Sequence, residues 1–592
     1  HLDRLPEIGA GQGEAAPLPI SHLEIVGGQL HFNFRGQTLA VGPIAATLAV
    51  GARGGPMALQ IELPELRTAT SAIAIEGRDS ELEAELRRTE TGWHIEARLR
   101  LAQLSARAVD GERALDKLAL RASAAGQWGG DEPLAIDLAI SRGELLWGRY
   151  YADLGALEPS LRGAISPASA GAALRRLVLQ AKGLGKAEGQ LEIGTAGVDR
   201  VDMLLTVPEL QPLFALAIAE PWRESYPQLE RTTIGGAIRA RLDYRRRKGG
   251  FRLTGHVTLA DVDLASSEPS FALRQLNLDL PLALGSGIDG AAADGLLRFA
   301  GLTAGGLQVD GASVRLRSGD NRIAFAEPLE MPLLGGRLRL GELAVERLDS
   351  SEWHALLALE LQQLDLGLTT TALGWPAIAG TLDGSLAPLR FDAGELSSGG
   401  ALRAEVFGGR VELRHLRAEQ LSSSVPTYGV DISFDDISLR QVTQSLELGR
   451  ISGVARGGVT GLAIANGEPT RFDAWLETKP DAKEKQSISV RAIRQISILG
   501  GAGGDPISGT VMRLFDEYGY SAMGFRCRLE NDKFVLHGVR SEGDKEYLVV
   551  GSLLPPRVDV VSHTQVISFS DMVERLRRIG AEPPAQEEGA QQ

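Results

Sequence analysis

The feature that most constrains the fold of this chain is an internal repeat with a period of 73 residues. Residues 329–391 align with 402–464 without a gap, and 17 of the 63 aligned positions are identical. The pair Gly335-Gly336 corresponds to Gly408-Gly409. A fixed period is typical of proteins in which one supersecondary unit packs on the next. The sequence therefore predicts stacked copies of one unit, each made of several strands, one short helix and several more strands.

Apolar and polar residues alternate through most of the chain. In 251–259 the odd positions are apolar, with Gly255 as a gap, and in 275–284 the leucines occupy the even positions. A period of two is typical of antiparallel strands that have one apolar and one solvated face. Turn-forming pairs such as Gly399-Gly400 separate these runs. The predicted fold class is mostly β, an antiparallel sheet with a few short helices.

Helical patterns are rare and short. We predict helices at 210–220, 368–375, 441–448, 507–518 and 569–579.

Composition divides the chain into four predicted segments. Residues 1–328 form a diverged, repeat-like β region, and 329–470 hold the two repeat units. A shift towards lysine marks 471–579 as a terminal module. The Pro-, Glu- and Gln-rich tail 580–592 is predicted to be disordered.

Charge and hydropathy exclude several classes of protein. The net charge of −14 argues against a nucleic-acid partner. The basic cluster 245–248 is interpreted as a solvated hairpin turn. A mean hydropathy of −0.04 is typical of a folded, soluble chain, and no stretch reaches the ~18–20 apolar residues that span a bilayer. Because the chain begins at His1 rather than Met, we expect that it has been processed, with any membrane anchor outside it.

No motif for catalysis, metal binding or cofactor binding is found in the sequence. Histidines never occur in a His-x-x-x-His pair, and Cys527 has no cysteine partner. His256 lies on the polar side of its predicted strand. Nucleophile elbows and phosphate-binding loops are absent from the sequence. We expect no enzymatic activity, no cofactor and no metal.

Many amphipathic strands with few covering helices must hide one apolar face. The sheet can pack on a second sheet, close into a barrel, or enclose a ligand. Burial stabilises each arrangement at ~25 cal/mol per Å², so energetics alone does not choose between them. Patterning by itself places a self-packed sandwich or solenoid somewhat ahead of a lipid groove.

Glycine and aliphatic patterns in the last half of the chain resemble the AsmA-like superfamily of bacterial proteins, of the AsmA, TamB, YhdP and YdbH type. The similar residues in the repeat are 407–413, 437–441, 449–462 and 467–472, and those in the terminal module include 496–501 and 524–531. The match covers roughly 330–580, whereas the first 330 residues are similar in style only.

The resemblance implies an elongated, curled antiparallel sheet with a taco-like β-groove. It further implies a periplasmic protein anchored in the inner membrane of a Gram-negative bacterium, with phospholipids as ligands and an outer-membrane partner at one end. Such proteins conduct lipids between the inner and outer membranes. At 592 residues this chain is shorter than TamB or YhdP.

We therefore expect an aliphatic groove that binds phospholipid acyl chains. The alternative is a scaffold protein for outer-membrane assembly, with a self-filled β-solenoid or sandwich that transports nothing. The residues expected to face the groove are Phe251, Leu253, Val257, Leu259, Leu276, Leu278, Leu280, Leu338, Leu340, Val411 and Leu413.

Overall fold

The architecture is taken from a computed structural model. It describes residues 21–34, 37–51, 55–70, 72–90, 92–128, 133–168, 171–268, 270–285, 292–350, 352–421, 423, 425–445, 449–480, 484–499, 516–543, 545–552, 557–562 and 566–569.

The chain forms two compact units. The first comprises His1–Glu268 with Leu273–Leu297, and the second comprises Pro269–Ala272 with Arg298–Gln592. Strands make up 73% of the described residues and helices 9%. The mostly-β prediction with a few short helices is thus confirmed. The segment boundaries expected from composition stay predictions.

In the first unit each strand hydrogen-bonds antiparallel to its neighbours, and most neighbours are consecutive in sequence. Crossovers occur where β7 also pairs with β9, and where β12 pairs with β14. The strands are β1 (His22–Phe34), β2 (Gln37–Val50), β3 (Met57–Ala69), β4 (Ile73–Arg88), β5 (Trp93–Ala108), β6 (Arg113–Trp128), β7 (Leu134–Trp147), β8 (Tyr150–Asp153), β9 (Ser160–Ala168), β10 (Gly171–Ala181), β11 (Gly185–Gly194), β12 (Gly197–Val207), β13 (Thr232–Ile234), β14 (Ala237–Arg247) and β15 (Gly250–Ser267).

The next two strands contribute residues to both units. They are β16 (Ser270–Gly285) and β17 (Ala293–Ala304).

The second unit continues the antiparallel pattern, with long strands separated by short ones. The strands are β18 (Leu307–Gly319), β19 (Arg322–Phe325), β20 (Leu329–Leu333), β21 (Gly336–Glu346), β22 (His354–Asp365), β23 (Gly380–Asp392), β24 (Glu395–Ser398), β25 (Ala401–Val406), β26 (Gly409–Glu419), β27 (Thr427–Ser438), β28 (Ile451–Ser452), β29 (Val454–Ala465), β30 (Glu468–Thr478), β31 (Ser487–Ser489), β32 (Glu517–Glu530), β33 (Lys533–Gly538), β34 (Arg540–Glu542), β35 (Lys545–Gly551), β36 (Val560–Ser562) and β37 (Val566–Ser568).

The helices of the described residues are short. They are α1 (Leu154–Leu157), α2 (Leu210–Phe214), a π-helical turn (Ala215–Ala219), α3 (Glu220–Trp222), a 3-10 turn (Pro227–Arg231), α4 (Leu366–Ala372), α5 (Leu439–Ser445) and α6 (Val490–Leu499).

Three of the predicted helices are confirmed. The segment 210–220 corresponds to α2, the π-helical turn and the start of α3. The predictions at 368–375 and 441–448 correspond to α4 and α5, each shifted by about half a turn. The helix predicted at 569–579 and the tail 580–592 lie outside the described residues, apart from Phe569.

One predicted helix is wrong where it can be checked, and one helix was missed. The segment 507–518 ends in β32 rather than in a helix, and its earlier part lies outside the described residues. Helix α6 was not predicted because its isoleucines are interleaved with polar residues. It forms because Ala492 and Ile493, both essentially unexposed, pack into a buried cluster with Ile488.

The 73-residue repeat is confirmed at the level of whole elements. Four strands and the helix of one copy recur in the next at this offset, with identical lengths. The pairs are β18 and β23, β19 and β24, β21 and β26, β22 and β27, and α4 and α5. The structural copies therefore begin at 307 and 380, upstream of the segment in which the sequence similarity is clear.

The repeated glycine pair has a steric cause. Gly335 and Gly408 adopt φ of +79° and +74°, a conformation that favours glycine. A Cβ atom on Gly336 would lie 2.3 Å from a backbone oxygen of Gln362, and one on Gly409 would lie 2.4 Å from that of Asp435. Close approach of the next strand therefore requires the second glycine in both copies.

Candidate functional site: the aliphatic sheet faces

One face of the second unit's sheet is aliphatic from β20 to β32. Residues directly opposite each other on antiparallel strands point to the same side of the sheet, so the pairing register traces this face strand by strand. The pairs are Met331 with Leu338, Leu338 with Leu361, Leu340 with Leu359, Leu359 with Leu386, Gly384 with Leu402, Leu402 with Leu413, Leu413 with Ile432, Ile432 with Val459, Val459 with Ala474, and Ala474 with Cys527.

The first unit has an aliphatic face of the same kind, from β3 to β15. It can be followed through a single line of opposed residues. The line runs through Ile61, Leu82, Leu99, Ala122, Leu138, Leu161, Leu179, Ala187, Leu205, Ala240 and Val257.

All eleven residues expected to face a groove lie on these faces. In the first unit, β15 carries Phe251, Leu253, Val257 and Leu259, while β16 carries Leu276, Leu278 and Leu280. In the second unit they are Leu338 and Leu340 on β21, and Val411 and Leu413 on β26.

The orientation of β16 is set by contacts on both of its sides. Leu276 and Leu259 both pack against the buried cluster of Val207, Leu210 and Val262. On the opposite side, Asp279 Oδ1 lies 2.6 Å from Nε2 of the exposed His256. The prediction that His256 occupies the polar side of its strand is therefore confirmed.

Most residues of the aliphatic faces are neither fully buried nor fully exposed. Leu338, Leu340, Val411 and Leu413 are all half-buried. Leu280 differs, since only 8% of it is exposed. Where other elements cover the face, burial is complete, as for Leu529 at 1% exposure. The middle of the second unit's face thus has less protein cover than its end.

The opposite face of the second unit's sheet is held by ion pairs. Arg339 lies 3.3 Å from both Glu330 and Glu360. One period later, Arg403 pairs with Glu412 at 2.9 Å. Positions 330 and 339 correspond to 403 and 412, so the repeat keeps this pair with its charges exchanged.

Hydrogen bonds lower the pKa of carboxyl groups in this charged layer. The pKa of Glu360 is lowered first by the Gln362 amide and then by Arg339. The pKa of Glu412 is lowered chiefly by hydrogen bonds from Arg414 and Arg403, which outweigh the opposing effect of burial. These carboxylates are ionised at neutral pH, and the exposed side chains of Arg339 and Arg403 show that this side of the sheet is solvated.

Depressions occur on both faces of the first unit. One of about 460 Å³ on the aliphatic face is lined by residues that include Ile73, Ala106, Leu115 and Leu145. Another, of about 520 Å³, lies on the charged face and is lined by Gln60, Glu83, Arg98 and other residues. Concavity is therefore not confined to the aliphatic face, and the two depressions differ in the chemistry of their lining.

The described residues include no group of three or more metal-ligating side chains. Burial raises the pKa of the Cys527 thiol to about 12, with a smaller contribution from Asp473. This thiol is therefore protonated at neutral pH and a poor nucleophile. The basic cluster 245–248 lies at the tip of the hairpin between β14 and β15, as predicted: its three arginines end β14, and Lys248 lies in the turn. Within the described residues, no helix is both long and apolar enough to cross a bilayer.

Sequence reasoning missed much of the aliphatic row, including Leu361, Leu386, Leu402, Ile432 and Phe434. Alternation within each strand was visible in the sequence, but the register between strands was not. The repeat could have supplied part of it, because Leu359 and Ile432 occupy equivalent positions.

Comparison with known proteins gives no identification: no family model, no curated protein and no solved structure matches the chain.

Proposed function

We propose that the protein binds phospholipid acyl chains on its aliphatic sheet faces and conducts lipids between the inner and outer membranes of a diderm bacterium. The observation that carries this proposal is the half-buried aliphatic row of the second unit, opposed by an ion-paired face. A sheet with one solvated side needs cover for the other. Acyl chains supply cover of matching chemistry.

Transport in this proposal requires solvation and no covalent chemistry. Acyl chains lie against side chains such as Leu340 and Leu413, while the polar headgroups stay in water. Removing apolar surface from water stabilises the complex by ~25 cal/mol per Å². Because neighbouring strands offer equivalent aliphatic contacts, a lipid moves from one strand to the next without losing its cover.

The cellular setting in this proposal rests on the resemblance to the AsmA-like superfamily. It comprises a periplasmic location, an inner-membrane anchor outside this chain and an outer-membrane partner. The residues that carry the resemblance lie in the second unit, at 407–413, 437–441, 449–462 and 467–472 and in the terminal module.

A scaffold with a self-filled interior is the second candidate, and one observation favours it. Met331, Leu333 and Leu364 are buried together with Val309, and Leu338 and Leu361 pack against them. Part of the aliphatic face is thus filled by the protein itself. A scaffold would extend this filling over the whole face.

Native mass spectrometry of the gently extracted full chain tests the proposal directly. We expect phospholipid to co-purify with the wild-type protein. The Val411→Arg variant should lose most of this lipid yet unfold within ~1 kcal/mol of wild type, since an arginine on a half-buried face still reaches water.

The matched control is Leu529→Arg, on the same face but 1% exposed. It should lose ~3 kcal/mol or more, because an unpaired charge is buried. Leu280 is unsuitable as an open groove position, since its burial predicts a similar loss. Absence of phospholipid from the wild type, with equal destabilisation by Val411→Arg and Leu529→Arg, would instead establish a self-filled scaffold.

A further inference from the structure

Between β17 and β26 the two edges of the second unit's sheet, where the strands turn, differ in charge, whereas the charged residues Arg440 and Arg450 begin only at α5. One edge, here called the helix edge, consists of the turns 304–306, 334–335 and 407–408 together with α4 and the segment 373–379 that follows it. None of these residues is charged. Turns at the opposite edge carry charges, for example Asp320, Arg347, Asp349 and Glu352.

Large apolar side chains project from the helix edge. Leu368 is 51% exposed, Leu373 61% and Trp375 62%. No charged residue occurs between Asp365 and Asp383. An exposed tryptophan and two exposed leucines within eight residues, without a nearby charge, are unusual for a solvated surface.

Hydrogen bonds, rather than these apolar side chains, hold α4 in place. The Asp365 carboxylate accepts from the Leu368 amide at 2.9 Å, and the Thr370 hydroxyl accepts from the Ile378 amide at 3.2 Å. Ala372 lies against Gly306, where a Cβ atom would approach its Cα to 2.8 Å. The outward side of α4 is thus presented on a fixed support.

The next copy of the repeat shows how the same helix looks when protein covers it. Leu439 of α5 packs in a buried cluster with Ile488, Ala492 and Ile493. Charged pairs border this contact: Arg440 with Glu484 at 3.2 Å and Arg450 with Glu517 at 2.7 Å.

In the first copy the corresponding positions are neutral. Gly367 stands in place of Arg440, and Ala377 in place of Arg450. Leu368 replaces Gln441, and Trp375 replaces Leu448. The uncovered helix therefore lacks the polar border that the covered copy uses, and that protein interfaces generally have.

We propose that the helix edge of the second unit docks on the interfacial zone of a neutral phospholipid bilayer through Leu368, Leu373 and Trp375. Tryptophan and leucine are favoured at this depth. Without cations in the turns and the helix that define the helix edge, and with a net charge of −14 on the chain, the contact is apolar rather than electrostatic. It does not depend on acyl chains occupying the aliphatic face.

The test is flotation of the full chain with phosphatidylcholine vesicles. We expect the wild type to float with these vesicles equally well at low and high salt. For the double variant Leu373→Glu/Trp375→Glu, the partition coefficient onto these vesicles should fall at least about tenfold, because carboxylates are expelled from the interface. Circular dichroism should show an unchanged fold, since both side chains are mostly exposed.

A control on the opposite edge is Val425→Glu, at a residue that is 44% exposed. It should float like the wild type. Failure of the wild type to float, equal flotation of the double variant, or binding only to anionic vesicles at low salt would overturn the proposal. So would a dimer, seen by light scattering, that the double variant abolishes without any change in vesicle binding.

Failure of the docking proposal and failure of acyl-chain binding are distinguishable. Val411→Arg should leave vesicle flotation unchanged, and Leu373→Glu/Trp375→Glu should leave co-purified phospholipid unchanged.

Discussion

Helices α4 and α5 are the same element in two settings. In each copy a threonine hydroxyl of the helix accepts a hydrogen bond from the backbone amide eight residues later. Thr370 accepts from Ile378, and Thr443 accepts from Ile451. Yet α5 lies under the terminal module, with Leu439 7% exposed, whereas α4 exposes Leu368 and the residues that follow it. The backbone of the unit is thus independent of what covers the helix.

The difference shows how a repeat separates folding from recognition. The turn glycines and the threonine tether recur in both copies because the strands and the helix need them. The outward residues differ between the copies: Gly367 aligns with Arg440, and Ala377 aligns with Arg450. Side chains outside the packed contacts therefore determine which surface each copy offers.

The largest expected effect is a loss of stability in the buried cluster that covers α5. Ile493→Asp places a carboxylate where no part of the residue is exposed, and should destabilise the terminal module by ~3 kcal/mol or more. Leu368→Asp, on the uncovered helix, should change stability by less than ~0.5 kcal/mol. Urea unfolding followed by far-UV circular dichroism measures both.

Cys527 gives a local readout of the same change. Its thiol is buried and protonated, so iodoacetamide should not label the wild type or Leu368→Asp at pH 8. Ile493→Asp should expose it to labelling. Equal labelling of the two variants would show that α4 and α5 are equally covered.

A second, intermediate effect should be the same in both copies. Gly336→Ala and Gly409→Ala each force a Cβ atom to within 2.3–2.4 Å of a backbone oxygen, which should cost ~1–3 kcal/mol. Thermal unfolding of each variant provides the measurement. A cost in only one copy would contradict the view that the unit's backbone is independent of its cover.

The smallest effect concerns the ion pair that the repeat keeps with exchanged charges. The pKa of Glu412 is lower in the folded chain than in the unfolded chain. The ionised carboxylate therefore stabilises the fold at pH values above the unfolded-state pKa of about 4.3. This contribution disappears as the pH falls through the lower pKa of the folded state. Because Arg403 is exposed, we expect the contribution to be at most ~1 kcal/mol.

Thermal midpoints measured between pH 7 and pH 3 follow this loss. They should fall below about pH 4, and Glu412→Gln should flatten part of the decline. Gln441→Leu, which leaves the carboxylates in place, serves as the control. A midpoint that rises on acidification would contradict the proposed role of the pair.

Much of the fold could be predicted from the sequence because its signals are local. Alternation in 251–259 defined both faces of β15, and the matching glycine pairs defined the repeat. Helix α6 could not be predicted in this way, since Ile493 adopts its place only when Ile488 and Leu439 enclose it. Nor could 507–518, whose last residues belong to β32 because they pair with β31.

The candidate site likewise has features that the sequence could predict and features that it could not. The sequence by itself determined that strands alternate, that one unit was copied at 73 residues, and which side of each strand is apolar. Only the tertiary structure decided the register that joins those sides into one face, the burial of Leu280, and the exposure of α4. The physical reason is that side-chain period depends on the local backbone, whereas register and cover depend on contacts between residues distant in the chain.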